Sequence, residues 1–184
     1  VAGGGADTIT GGAGDDTIDL TETTSATDKV IFSSSYTNNG KDTITGFTSG
    51  TDVLDVKALL GVTAANVVLY DNGATPPVAI VTTGGTAKAE SALAGKVVLA
   101  DIGSTAVADA DLLAAIVGTG KIQAAESTTA LSIVYVVANG SADLRIVHYT
   151  DGTSANDDAV AVVGVISGVS ALTSLTAASF GYVA

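Results

Sequence analysis

The stretch "GGADTITGGAGDDTID", Gly4 to Asp19, sets Asp7 and Ile9, then Asp16 and Ile18, nine residues apart with glycines ahead of each Asp. A helix cannot use this arrangement, because glycine is among its poorest formers. A tight bend that presents its backbone oxygens can use it, since glycine adopts positive φ and lets backbones approach closely. The spacing fits a template Gly-Gly-x-Gly-x-Asp-x-U-x, with U a large aliphatic. Residues 11–19, "GGAGDDTID", fit throughout, and residues 2–10, "AGGGADTIT", fit with Ala2 in a glycine slot.

The rhythm loosens further on. "TNNGKDTIT" (37–45) keeps Gly40, Asp42 and Ile44 in their slots, and "FTSGTDVLD" (47–55) keeps Gly50, Asp52 and Leu54. Between them "TTSATDKVI" (23–31) keeps Asp28 and Val30 but has Ala26 where Gly belongs. The Asp positions 7, 16, 28, 42 and 52 step by nine, twelve, fourteen and ten, as if loops had been let into a nine-residue repeat. The expected structure is a coil with two short strands per turn. Each Gly-rich segment reverses the chain, and Ile9, Ile18, Val30, Ile44 and Leu54 point inward from the strands that follow. Successive bends alternate sides, so the first, third and fifth stack on one edge and the second and fourth on the other. Stacking brings carboxylates together beside carbonyl oxygens, which is repulsive alone and becomes coordination with a divalent cation in the gap.

Composition bears on the same point. The chain of 184 residues carries a net charge of −12, from 19 acidic against 7 basic residues. Such charge repels nucleic acid and anionic lipid as partners. The acids comprise 16 Asp and 3 Glu. Short-armed Asp in Gly-rich turns suits a hard cation that shares backbone carbonyls; Asp is also an ordinary turn former, and composition alone leaves both readings open. Apolar residues make up 47% and aromatics 4%, so the core must be built from Val, Ala, Leu and Ile, which leans towards β-structure. There is no Cys, hence no disulfide, and bound metal is an alternative staple. No apolar run reaches the roughly 18 residues that cross a bilayer. The chain starts at Val1 and contains no Met, which reads as a fragment.

These repeats resemble the calcium-binding nonapeptides of RTX (hemolysin-type) proteins. "DTITGFTSGTDVLDVKALLG" (42–61) is similar to the closing stretch of such β-rolls, so the resemblance covers residues 1–61. It implies Ca²⁺ shared between the Asp of one turn and the backbone of its stacked neighbour. The implied ligand set is Gly3, Gly5, Asp7, Gly12, Gly14, Asp16, Asp28, Gly40, Asp42, Gly50 and Asp52. Asp7 and Asp28 would flank one site, Asp16 and Asp42 a second, and Asp28 and Asp52 a third.

From Val62 onward the glycine rhythm stops, and residues 62–184 read as a second, β-rich domain with one or two short helices. "NVVLYDNGATPPVAIVT" (66–82) reads as two strands about an Asn-Gly and Pro-Pro connection. "KVVLADI" (96–102) is a strand, and "DADLLAAIVGTG" (109–120) a short helix stopped by Gly118. "LSIVYVVANGSADLRIVHY" (131–149) is a hairpin with a type I′ turn at Asn139-Gly140. "AVAVVGVISG" (159–168) is apolar on both faces, as a central strand would be. The uncharged tail "SGVSALTSLTAASFGYVA" (167–184) resembles the carboxyl ends of type I-secreted chains. It reads equally as a final strand and turn that bury Leu172, Leu175 and Phe180.

Catalysis finds little footing. His148 is the sole histidine and alternates with Leu144 and Ile146 along a strand, the pattern of a structural histidine. There is no Gly-x-Ser-x-Gly elbow, and one His without Cys offers zinc no site. The pairs Asp15-Asp16 and Asp157-Asp158 lie in turn-like surroundings. Asp151, Asp157 and Asp158 fit a solvated loop or one more calcium loop. "GGGADT" has no following Lys to cradle a phosphate. The expectation is therefore a mainly β, non-enzymatic, calcium-dependent structural module of a secreted bacterial surface-layer protein. Its expected partners are calcium, further copies of the parent protein and the type I secretion machinery. The alternative is the carboxyl-terminal region of an exported adhesin, protease or lipase.

Overall fold

Glycine bends followed by x-U-x triplets produce very short strands. In the computed structural model these are β1 (Thr8–Ile9), β2 (Thr17–Asp19), β3 (Lys29–Ile31), β4 (Asp42–Thr45) and β5 (Val53–Asp55). The structure describes residues 1–62, 68–69, 80–82, 89–103, 107–117, 130–138, 142–152 and 158–180. The odd strands pair in parallel in the order β1-β3-β5, while β2 pairs in parallel with β4 in a second sheet. Register places aliphatic on aliphatic: Ile9 opposite Val30, Val30 opposite Leu54, and Ile18 opposite Ile44. A parallel ladder repeats the same side-chain direction at each step, so a fixed U position yields a continuous apolar column. Val30, Ile44 and Leu54 are 0–1% exposed, Ile18 is 4% exposed, and Ile9 packs against them at the rim.

The second sheet does not stop at β4. It continues through β11 (Ala159–Ile166), β10 (Leu144–Asp151), β9 (Leu131–Ala138), β8 (Lys96–Asp101) and β6 (Val68–Leu69) in the order β2-β4-β11-β10-β9-β8-β6, and a further strand paired with β8 brings the sheet to eight. β11 lies parallel to β4, with Ile166 opposite Ile44, and antiparallel to β10. β9 and β10 form the expected antiparallel pair, and their connecting Asn139-Gly140 lies outside the described residues. β6 and β7 (Ile80–Thr82) do not pair with one another; both run parallel to β8. The Asn-Gly and Pro-Pro segment between them is likewise outside the described residues.

This sheet is apolar on both faces because it is covered on both. One face of β8 and β9 contributes Val97, Leu99, Val134 and Val136 to a core shared with Val30, Phe32, Ile44, Leu54 and Val56 and with Leu59 and Leu60 of α1 (Lys57–Leu60). The other face contributes Val98, Ala100, Ile133, Tyr135 and Val137, packed with Leu93 of α2 (Glu90–Leu93) and with Leu112 and Ile116 of α3 (Leu112–Ile116). The continuous apolar run of β9 is what burial on both sides requires. β11 carries a register shift opposite Ile146/Val147, beside Gly164, where a Cβ would sit 3.2 Å from the Phe32 ring. A glycine in mid-strand here admits the aromatic ring of the repeats.

Two expectations are corrected. The helix expected over 109–120 is a 3₁₀ turn at Asp109–Asp111 followed by α3, and Val117 is already extended, so helix ends before Gly118. The tail does bury Leu172, Leu175 and Phe180, but from two 3₁₀ turns, Leu172–Ser174 and Ala177–Phe180, and no strand. Between Leu172 and Phe180 only Thr173 and Thr176 are β-branched, among Ala and Ser that favour a strand little. Among the described residues, no helix is long and apolar enough to cross a membrane.

Candidate metal centre

Each bend is built by its glycines. Gly3, Gly5, Gly12, Gly14, Gly40 and Gly50 have φ between +69° and +102°, the region L side chains avoid. Gly40 matters most. A Cβ there would lie 2.2 Å from the Gly14 carbonyl oxygen, so the bends at 12–16 and 38–42 stack backbone on backbone.

Stacked bends place their Asp side chains in two columns. On one edge the Asp7 N–H donates to Asp28 Oδ1 (2.9 Å), and the Asp28 N–H donates to Asp52 Oδ1 (3.1 Å). On the other edge the Asp16 N–H donates to Asp42 Oδ1 (3.0 Å). The chain then returns each bond: Lys29 N–H to Asp7 O, Val53 N–H to Asp28 O and Thr43 N–H to Asp16 O, each 2.8 Å. The three pairs named from sequence are therefore neighbours. Asp52 ends its column by also accepting the Thr48 N–H through Oδ2 (2.7 Å).

Asp28, Asp42 and Asp52 each accept one of these bonds through Oδ1, whereas Asp7 and Asp16 enter the scheme only through their backbone. Asp7 Oδ2, Asp16 Oδ2 and Asp28 Oδ2 are buried without a hydrogen-bond partner, and Asp28 as a whole is 0% exposed. A buried acceptor without a donor costs about 1–3 kcal/mol, and more when it is charged. Burial pushes the Asp42 carboxyl up from its ordinary value. The Asp16 N–H opposes this rise, while the Asp16 and Asp15 charges add to it. Asp42 Oδ2 and Asp16 Oδ2 both crowd Gly11, 2.7 and 3.1 Å from where its Cβ would stand. Among the described residues, no three carboxylate or imidazole side chains converge on one point. The carboxylates meet in pairs, so an ion between them would draw its remaining ligands from backbone carbonyls. Paired, oxygen-only donors with unpartnered lone pairs fit a hard cation such as Ca²⁺.

Residues beyond the template hold the bends. Asp15, a turn position by sequence, accepts the Lys41 N–H through Oδ1 (2.8 Å) and so fastens the two stacked bends. Asn39 closes the inserted loop at 33–39, accepting the Ser33 N–H and donating to the Ser33 and Ser35 carbonyls. Glu22 accepts the Ala26 N–H at 2.7 Å, which closes the bend where Ala26 replaces glycine. Its Oε1 is buried without a partner, and Glu22 and Asp52 line the same cavity of about 160 Å³. The fixed slots of the template could not reveal these residues, because Asp15 and Asn39 occupy its variable slots and Glu22 falls between two matches.

The remaining candidates are placed otherwise. His148 is 7% exposed; its Nε2 lies 2.7 Å from Ser132 Oγ, whose own proton goes to the Leu59 carbonyl at 2.6 Å. His148 is thus the donor to Ser132, and burial holds its pKa below the ordinary value. Asp151 is buried, Asp158 accepts from the Tyr149 hydroxyl, and Asp157 lies outside the described residues. Comparison with protein-family models, curated proteins and solved structures finds no match for this chain.

Proposed function

We propose that residues 1–61 form a calcium-binding parallel β-roll, and that the chain is a non-enzymatic, calcium-dependent structural module of a secreted bacterial surface-layer protein. The observation that carries this reading is the set of buried, unpartnered oxygens on Asp7, Asp16 and Asp28, repeated in register along the stacked bends. Bound Ca²⁺ would supply positive charge and accept lone pairs at those oxygens. Gly3, Gly5, Gly12, Gly14, Gly40 and Gly50 shape the bends whose carbonyls complete the coordination. The chain's own part is to hold Asp7 against Asp28, Asp28 against Asp52 and Asp16 against Asp42 by backbone hydrogen bonds.

A module of this kind stays unwound where calcium is scarce and winds outside the cell, at the roughly 10⁻⁴–10⁻³ M affinity of extracellular modules. With no disulfide available, the ion supplies the cross-link. Further copies of the parent protein and the type I secretion machinery are the proposed partners. The test is electron microscopy and scattering of the protein with calcium added and then chelated. Ordered sheets that form with calcium and dissolve in chelator support the surface-layer reading. A monomer that folds only with calcium shifts the reading to the end of an exported adhesin, protease or lipase. An identical compact monomer in both conditions overturns the calcium mechanism.

A further inference from the structure

The carboxyl-terminal segment and the last bend of the repeats are one assembly. β11 runs out beside β4, where Ser167 N–H donates to the Ile44 carbonyl at 2.8 Å. The chain then turns at Gly168, held by Asp143 Oδ1 (2.9 Å), and lays Leu172, Leu175 and Phe180 into the core that contains Phe47, Leu54 and Val56. On the other side of this contact, the Ser49 hydroxyl binds the Ser174 carbonyl and lies 3.1 Å from Ser179 Oγ. Ser179 is 0% exposed and also accepts the Thr176 N–H.

Ser49 sits in the bend that positions Asp52. Within that bend Asp52 N–H donates to the Thr48 carbonyl (2.8 Å) and Thr48 N–H donates to Asp52 Oδ2 (2.7 Å), while Asp52 Oδ1 takes the Asp28 N–H. The path from the tail to the odd column is therefore Ser174 and Ser179, Ser49, Thr48, Asp52, Asp28. The bend that carries Asp42 is fastened by different means, the Asp15 bond to Lys41 and the ion pairs from Lys41 and Arg145 to Asp109.

We infer that residues 172–180 are an ion-dependent latch: occupancy of the Asp28–Asp52 pair and docking of this segment reinforce each other. The inference rests on the calcium reading given above. An ion that fixes Asp52 fixes the bend Ser49 stands on, and a docked segment holds that bend in the shape the ion needs. Linkage makes the effect reciprocal, so each event strengthens the other by the same factor. Winding of the odd column would thus conceal a segment that is accessible before the ion arrives.

The test is hydrogen exchange on the full chain, read over 172–180 by mass spectrometry with and without calcium chloride, beside calorimetric titration of the same samples. Calcium should slow exchange of this segment in the wild type and in Asp16→Asn, and should leave it unchanged in Asp28→Asn. Ser49→Ala, which removes only the hydroxyl that reaches Ser174 and Ser179, should raise the calcium concentration needed for protection roughly five-fold, the loss of about one hydrogen bond. Calcium binding that leaves the segment's exchange unaltered overturns the latch alone. So does equal loss of protection in Asp16→Asn and Asp28→Asn, or an unmoved midpoint in Ser49→Ala. No heat of calcium binding in any sample overturns the latch together with the reading beneath it.

Discussion

The strands of residues 1–62 are two to four residues long, whereas β9, β10 and β11 each run for eight. The short strands hold their places through carboxylate-to-backbone bonds at the bends and a single aliphatic residue per step. The long ones hold theirs through ladders buried on both faces, with an edge-to-face pair of Tyr135 and Tyr149 at 6.3 Å between ring centroids. The lesson is about charge. The bends stack carboxylates whose Oδ2 atoms on Asp7, Asp16 and Asp28 are buried without a partner, whereas β9 and β11 carry no charged residue at all. The two regions still meet in one core, because β4 pairs with β11 and Phe32 packs against Gly164.

The strongest way to break this contrast is Gly40→Ala. A Cβ against the Gly14 carbonyl, at φ +69°, combines strain with overlap and should cost about 3–5 kcal/mol in urea unfolding. Gly168→Ala, at φ +80° with nothing within 4 Å, should cost only about 1 kcal/mol. Equal midpoints for the two variants would mean that the bends do not stack. Leu54→Ala removes a fully buried step of the column and should lose about 3 kcal/mol, with amides of β3 and β5 exchanging faster than those of β9.

Chelation sharpens the comparison. One ion at a hundred times its dissociation constant contributes about 2.7 kcal/mol. Its removal should therefore release the amides of Val30 and Leu54 while Val134 and Val136 stay protected. Uniform exchange with and without chelator would refute a separate, ion-held region. Lys41→Ala cuts one arm of the bridge to Asp109, whose partners are 41% and 37% exposed. The expected loss is below about 1 kcal/mol and should vanish in high salt; a loss that persists in salt would point to packing instead.

The smallest effect is a partial proton at His148. Burial lowers its folded pKa below the ordinary 6.5, so the unfolded chain takes up the proton first. Its contribution is full above pH 6.5 and is lost as pH falls through that value towards the folded one. Comparing urea midpoints at pH 7 and 5 for wild type and His148→Gln isolates the contribution; parallel curves would remove His148 from the pH response.

Much of the repeat geometry was legible in the sequence, since a fixed spacing of Gly, Asp and aliphatic residues determines which bends and side chains align. The alternation of odd and even strands, the inward Ile18, Val30, Ile44 and Leu54, and the Asp7–Asp28, Asp28–Asp52 and Asp16–Asp42 neighbours all follow from that period. The hairpin of β9 and β10 was legible for the same reason, as local alternation about a turn. Only the tertiary structure decided that β11 would extend the even strands through β4, that Asp15 and Glu22 would fasten the bends, and that the tail would close over Ser49 in 3₁₀ turns. These choices join residues dozens of positions apart, as Ile44 and Ile166 show, and no local pattern encodes which of several apolar surfaces will meet. Local spacing sets the shape of each bend; burial of the surfaces left over decides what covers it.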